Sequence, residues 1–289
     1  MEGIRVTDVR IVKSDSSFLI DDGKTAVLFD SGFGFTGFRT AEKIKSVLGE
    51  RKLDYIFLSH SHYDHALGSP YILRYYPDAK VVAGEYAAEI FKRDGAKRLM
   101  KELDSAFARE CGVTDYEFLG DELRVDISVR DGDTIDAGDM KFEVLELPGH
   151  TNCSIGFYLK EKKLLLSSET LGVYDGKELI LPAYLVSVEK TISSIERVLK
   201  LDIDYILAPH FGILSKEQTD FFLRNMKDAS LNTAEDIKQR LLHKETPEEI
   251  FEVYKDKYWR GYFREIYPVE AMKLNTSIMI KLVASELIK

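Results

Sequence analysis

Three histidines and an aspartate fall within six residues, in the segment His60-Ser61-His62-Tyr63-Asp64-His65. The segment follows residues 55–59, an apolar run between charged residues that predicts a short buried strand. Where a strand runs into a loop, side chains two residues apart share a face, so His60 and His62 can converge. Imidazole and carboxylate groups are ligands that zinc, iron and manganese accept. The segment therefore predicts a metal site, with a solvated polar loop as the alternative.

Three further candidate ligands each follow an apolar run that predicts a strand. These runs and the residues that follow them are 141–147 with His150, 163–167 with Glu169, and 205–208 with His210. Taken singly, each has an ordinary interpretation, as a loop histidine or as an exposed glutamate at a strand end. The sixth histidine, His243, lies in a charged helical segment and is predicted to be at the surface.

The rest of the chain alternates predicted strands with predicted helices, which favours mixed α and β layers. Asp22-Gly23 predicts a hairpin between strands at 17–21 and 25–30. The other predicted strands are 4–12, 80–83, 123–129, 134–136, 140–147, 154–159, 163–167 and 205–208. Helices are predicted at 40–49, 69–77, 85–111 and 191–200. After residue 215 the chain is predicted to be mostly helical, with helices at 216–243 and 247–264 and boundaries at Pro247 and Pro268.

The composition disfavours several classes of protein. Of 289 residues, 45% are hydrophobic and 31% are charged, as in a globular protein. The net charge of −9 disfavours nucleic-acid binding, because an acidic surface repels phosphates. The apolar runs are too short to span a membrane, and the charged first 13 residues do not resemble a signal peptide. With two cysteines, Cys111 and Cys153, the chain is expected to be cytoplasmic.

In their order along the chain, the histidine motif and the segments that contain His150, Glu169 and His210 resemble the metallo-β-lactamase superfamily. They resemble in particular its branch of glyoxalase II-like and quinolone-signal thioesterase-like members. The His-x-His-x-Asp-His motif is the most specific part of the resemblance. The resemblance implies an α/β fold, a four-layer αββα sandwich over residues 1–215. It also implies a C-terminal helical extension over 216–289 that packs on or near the active site.

The same resemblance implies two divalent metal ions, zinc first, with iron or manganese as alternatives. The first ion is assigned His60, His62 and His150. The second is assigned Asp64, His65 and His210, and a carboxylate bridges the two ions. Members of the family usually supply that carboxylate as Gly-Asp, whereas this chain has Ser168-Glu169. Glu169 could bridge or bind one ion only, and Asp175 is the substitute candidate.

The implied activity is hydrolysis of an ester, thioester or lactone by a metal-bound hydroxide. Asp64 is expected to orient the attacking water and move its proton. Asp30 could fix a ligand histidine or could be a turn aspartate. The alternatives are a phosphodiesterase or sulfatase of the same fold, and a non-catalytic metal-binding or sensing module. Cations that the first alternative could use are Arg39, Lys216 and Arg260.

Aromatic residues near the candidate ligands predict a small-molecule substrate that is partly apolar or aromatic. The predicted substrate-binding residues are Phe33, Phe35, Tyr63 and Phe211. A covered core edge is the alternative for these side chains. The aromatic C-terminal helices could wall a pocket, form a homodimer face or cover a sheet. Neither a nucleic acid nor a membrane is expected as a partner.

Overall fold

The computed structural model describes residues 2–288. The chain divides into two compact units, and both contain strands and helices. The first unit is the chain up to Glu146 together with Ile155–Lys162. The second unit is Leu147–Ser154 together with the chain from Lys163 onward.

The first unit contains two sets of strands. Its sheet follows chain order, with β1 to β3 antiparallel and β3 to β6 parallel. These strands are β1 (Arg5–Asp8), β2 (Phe18–Asp21), β3 (Ala26–Phe29), β4 (Tyr55–Phe57), β5 (Lys80–Gly84) and β6 (Ile127–Val129). An antiparallel set contains β7 (Thr134–Ala137), β8 (Met140–Glu146) and β9 (Ile155–Leu159). The helices are α1 (Gly37–Leu48), α2 (Tyr63–Ala66), α3 (Ser69–Tyr75), α4 (Glu85–Phe91) and α5 (Asp94–Glu110).

The parallel pairing of β3 with β4 brings two functional segments to one edge of the sheet. Val27 pairs with Tyr55 and Phe29 pairs with Phe57, so the two strands end at the same level. The backbone N–H of Asp30 then donates to the carbonyl oxygen of Phe57 at 2.8 Å. All residues of β2 and β3 are buried, as expected for apolar strands covered on both faces.

The second unit has shorter strands and longer helices. β10 (Leu164–Leu166), β11 (Val173–Tyr174), β12 (Ile180–Leu181), β13 (Tyr205–Ala208) and β14 (Gly212–Ile213) are its strands. β10 and β13 pair in parallel, β13 and β14 antiparallel, and β11 and β12 form a hairpin. The helices are α6 (Val188–Val198), α7 (Lys216–Leu242), α8 (Pro247–Tyr258), α9 (Gly261–Ile266) and α10 (Val269–Leu287).

The predicted helix at 247–264 is wrong, because two helices occupy this stretch. α8 ends at Tyr258, and Arg260 is extended with φ −141° and ψ 164°. Gly261 then has φ 50°, a left-handed conformation that glycine adopts without a steric penalty. The predicted boundaries at Pro247 and Pro268 are confirmed, since Pro247 begins α8 and Pro268 immediately precedes α10.

The predicted strand at 123–129 is also too long. A short 3₁₀ turn covers Gly120–Glu122, and pairing with β5 begins only at Ile127. Asp126 instead accepts a hydrogen bond from the backbone N–H of Val81 through its side chain. The backbone N–H of Asp126 also donates to the carbonyl oxygen of Val81 at 2.8 Å, so hydrogen bonding to β5 begins one residue before β6.

The C-terminal helices share an apolar core with the segment between β11 and α6. Buried side chains from that segment pack with side chains from α7 to α10. Examples of this core are Leu181, Tyr184, Ile237, Phe251, Phe263 and Met279. Among residues 2–288, no helix has the length and apolar character needed to cross a membrane.

Candidate metal centre

The first unit gathers the histidine motif at the end of β4. His62 is extended and immediately precedes α2, so the chain turns sharply between His60 and His65. The ring of His60 lies 4.6 Å from that of His62 and 4.1 Å from that of His65, between centroids. His60 and His65 are buried, while His62 and Asp64 are partly exposed. Asp64 Oδ2 lies 3.8 Å from His65 Nε2. The four predicted ligands of this unit are thus neighbours.

Asp30 fixes the orientation of His65. The Asp30 carboxylate is fully buried and lies 2.7 Å from His65 Nδ1. It also accepts hydrogen bonds from the backbone N–H of Ser59 at 2.8 Å and the hydroxyl of Ser16 at 2.9 Å. With Nδ1 donating to the carboxylate, His65 presents the lone pair of Nε2. The predicted contact of Asp30 with a candidate ligand histidine is confirmed, and Asp30 is at the same time a turn residue.

The backbone at Asp30 adopts an uncommon conformation. Its φ is 52°, in the left-handed region that aspartate tolerates better than most residues. This turn leads the chain from β3 into the glycine-rich loop while aiming the carboxylate at His65 and Ser59. We interpret the strained backbone as the means of placing a buried carboxylate behind a ligand.

The loop after Asp30 is held by two buried carboxylates. Asp15 accepts the backbone N–H of Phe33 at 3.0 Å. Asp104, on α5, accepts those of Gly34 at 3.0 Å and Phe35 at 3.2 Å. Burial raises the pKa of Asp104 to about 6, although these hydrogen bonds act in the opposite direction. No pattern in the sequence had identified either carboxylate.

The aromatic residues predicted to bind substrate differ in exposure. Phe33 is only 2% exposed and packs against Phe35, Tyr63 and Phe107, with ring centroids 4.9 to 5.6 Å apart. It therefore supports its neighbours from within the core. Phe35 and Tyr63 are partly exposed in the first unit, and Phe211 is partly exposed in the second.

The second unit places Glu169 between two histidines. Glu169 Oε2 lies 2.9 Å from His150 Nε2, and Glu169 Oε1 lies 3.2 Å from His210 Nε2. All three side chains are buried. The glutamate lies in a 3₁₀ turn after β10, which Ser168 caps by accepting the backbone N–H of Thr170. Each carboxylate oxygen thus faces a different imidazole.

The charge of Glu169 depends on its two neighbours. Burial raises the pKa of Glu169, but the adjacent His150 and His210 outweigh that effect and hold it well below its usual range. The carboxylate is therefore ionised at neutral pH. Ionised carboxylates are the form that divalent metals bind.

Backbone contacts orient both histidines of the second unit. His150 Nδ1 donates to the carbonyl oxygen of Ala183 at 2.7 Å, so Nε2, the atom that faces Glu169, is the nitrogen that would bind an ion after losing its proton. His210 has φ 61° and accepts at its carbonyl oxygen a hydrogen bond from the hydroxyl of Tyr262. Asp175, the substitute candidate, closes the turn between β11 and β12 by accepting three backbone N–H groups.

Two tyrosines of the C-terminal helices reach this group, and sequence reasoning missed both. The hydroxyl of Tyr267 donates to Glu169 Oε1 at 2.7 Å, and that of Tyr262 donates to His210. Tyr267 and Glu169 are 98 residues apart, and no local pattern relates residues at that separation.

The donor chemistry fits divalent metal ions. Each unit presents buried imidazoles together with a carboxylate. Polar neighbours hold the Nδ1 atoms of His65 and His150, so that Nε2 can bind an ion. A nitrogen and oxygen donor set of this kind suits zinc, iron and manganese.

Comparison with known proteins relates the chain to a family. Residues 11–210 match the family model of the Metallo-beta-lactamase superfamily. The chain is 27% identical over 168 residues to an acyl-coenzyme A thioesterase, MBLAC2, from Gallus gallus, covering 55% of this chain and 57% of that protein. It is 25% identical over 154 residues to a hydroxyacylglutathione hydrolase of Francisella tularensis, covering 53% and 47%. The chain thus spans about half the length of these curated relatives.

Solved structures show the same fold. A metallo-beta-lactamase family protein from Thermus thermophilus has a TM-score of 0.63 at 18% identity, covering 99% of this chain and 94% of that one. An archaeal superfamily protein from Sulfolobus tokodaii has a TM-score of 0.58 at 18% identity, covering 78% and 86%. The predicted metallo-β-lactamase fold, of the α/β class with C-terminal helices, is confirmed.

Proposed function

The chain belongs to the metallo-beta-lactamase superfamily, and on that premise we propose that it is a dinuclear metal-dependent hydrolase of thioesters or related esters. The observation that carries the proposal is the placement of Glu169. Its two oxygens face two different imidazoles, those of His150 and His210, as a carboxylate shared by two ions requires. The glutamate in place of the usual aspartate is therefore compatible with the bridging role.

The proposed metal assignment is the one that the resemblance to the family implies. His60, His62 and His150 would hold one ion, Asp64, His65 and His210 would hold the other, and Glu169 would be available to both. When bound, the ions supply an acidified water and a positive charge for the oxyanion that develops on the substrate. In this assignment Asp30 and Ala183 keep His65 and His150 in the tautomer that binds through Nε2.

Asp64 has the role of proton acceptor in this proposal. It is the partly exposed carboxylate of the motif, so its oxygens are accessible to a water molecule. It orients the attacking water and takes up its proton. The partly exposed rings of Phe35, Tyr63 and Phe211 are assigned to the apolar part of the substrate.

Two considerations favour a thioester as the bond that is cleaved. The relatives named above act, by their names, on acyl groups carried by coenzyme A and by glutathione. A thiolate also leaves without a strong general acid, and the motif offers its carboxylate as a base. A phosphodiesterase or sulfatase would use cations near the metals, but Lys216 is paired with Asp204 at 2.6 Å.

A substrate panel tests this proposal. The metal-loaded protein is incubated with an acyl-coenzyme A, an S-acylglutathione, a p-nitrophenyl ester, a lactone and a phosphodiester. We expect the thioesters to be hydrolysed fastest, and the rate to disappear after a chelator removes the metals. Faster cleavage of the phosphodiester would favour the alternative hydrolase. Metal binding without turnover of any compound would favour a binding or sensing module.

A further inference from the structure

Three tyrosines of the C-terminal region donate hydrogen bonds to the groups that build the second unit's ligand set. The hydroxyl of Tyr254 donates at 3.0 Å to the carbonyl oxygen of Pro182, the residue before Ala183, which holds His150. The hydroxyl of Tyr262 donates to the carbonyl oxygen of His210. The hydroxyl of Tyr267 donates at 2.7 Å to Glu169.

Tyr267 differs from the other two because it contacts a candidate ligand atom itself. Its hydroxyl bonds Oε1 of Glu169, the oxygen that faces His210. A carboxylate has about four lone-pair positions, so Oε1 can accept this hydrogen bond and still bind an ion. The hydrogen bond therefore restricts the orientation of the Glu169 carboxylate and leaves lone pairs on both oxygens for an ion.

The backbone of Tyr267 is held on both sides. Its N–H donates to the carbonyl oxygen of Phe263 at 2.9 Å, and its own carbonyl accepts the indole N–H of Trp259 at 3.0 Å. Tyr267 lies between α9 and α10, after the break at Arg260 that ended the predicted single helix. These two hydrogen bonds fix the backbone from which the phenol of Tyr267 extends.

Glutamate needs such a contact more than aspartate does. Its side chain has one more rotatable bond, and ordering it costs conformational entropy. An aspartate at residue 169, shorter by one methylene, would withdraw its carboxylate from the phenol.

We propose that Tyr267 is a positioning residue of the metal site, which the C-terminal region supplies to fix the carboxylate of Glu169. This inference rests on the proposed function, in which Glu169 binds metal. Tyr267 acts through Glu169 and is assigned no part in the chemical step. Its loss should therefore weaken metal binding more than it changes the stability of the metal-free fold.

The test measures affinity for zinc and for cobalt by chelator competition, in the full-length chain. Tyr267→Phe removes one hydroxyl and should weaken metal affinity by about 10- to 100-fold. Tyr258→Phe is the matched control, because that hydroxyl, also in the C-terminal helices, bonds Thr233 and no candidate ligand. The control should bind metal as the wild type does. The visible spectrum of bound cobalt should shift in Tyr267→Phe only.

A double-mutant cycle with Glu169→Asp separates positioning from general structural support. If Tyr267 acts through the longer carboxylate, Tyr267→Phe has no further effect on metal affinity once residue 169 is shortened. An equal loss in both backgrounds would overturn the inference, as would unchanged affinity and spectrum in Tyr267→Phe. Should Tyr267→Phe fail to fold without metal, the phenol is structural and the inference is wrong. A wild-type chain that binds no metal would instead refute the proposed function on which the inference rests.

Discussion

Replacing Asp64 with alanine should lower the hydrolysis rate by about 10²- to 10⁴-fold, the range measured for loss of a positioned proton acceptor. The fold should survive, because Asp64 is partly exposed and lies in the four-residue helix α2. We expect the free energy of unfolding to change by about 1 kcal/mol or less. Initial rates on an acyl-coenzyme A, together with urea denaturation of the metal-free chain, measure both effects.

A matched control separates catalysis from helix stability. Asp94 occupies the first turn of α5, as Asp64 occupies that of α2, and it is exposed. Both carboxylates interact favourably with the helix dipole. Asp94→Ala should therefore share the small stability change and keep full activity. Wild-type activity in Asp64→Ala would show that another residue moves the proton.

Asp30→Ala should destabilise the first unit by about 3 to 5 kcal/mol, because removal of a buried, hydrogen-bonded charge leaves its partners unsatisfied. The partners are His65, Ser59 and Ser16, and Asp30 is itself fully buried. The left-handed backbone at residue 30 adds about 1 kcal/mol to this loss of stability, since alanine tolerates that conformation less well than aspartate does. Urea denaturation of the metal-free chain measures the loss without interference from metal binding.

Asp30→Asn is the informative partner of that variant. Asparagine tolerates the same backbone conformation and keeps one acceptor oxygen. Asp30→Asn should therefore lower the free energy of unfolding by clearly less than Asp30→Ala does. Equal losses in the two variants would mean that the negative charge, and not the hydrogen-bond network, supports His65.

Local patterns predicted the parts of the site that neighbouring residues build. The histidine motif follows a buried strand, and the structure groups His60, His62 and His65 where that strand ends. The contact between Asp30 and His65 spans 35 residues, and the parallel pairing of β3 with β4 explains it, because parallel strands end at one edge. Hydrophobic pattern and turn residues likewise predicted most strands and helices.

Other contacts depend on tertiary packing that no local pattern encodes. Asp104 lies on the buried face of α5, and no pattern in the sequence identified it. The single helix predicted at 247–264 runs through Trp259 and Arg260, where the structure separates α8 from α9. The contact of Tyr267 with Glu169 joins residues 98 apart in the chain, so no local pattern could predict it.

The division into sites for two metal ions stays a prediction, as do the domain boundary at residue 215, the cytoplasmic location and the homodimer. Of these, the metal count bears most directly on function. The metal content of the purified chain, measured by elemental analysis after incubation with zinc and removal of excess ion, tests it. We expect two zinc ions per chain, both released by a chelator. One ion or none would contradict a Glu169 shared by two metals and, with it, the proposed dinuclear hydrolase.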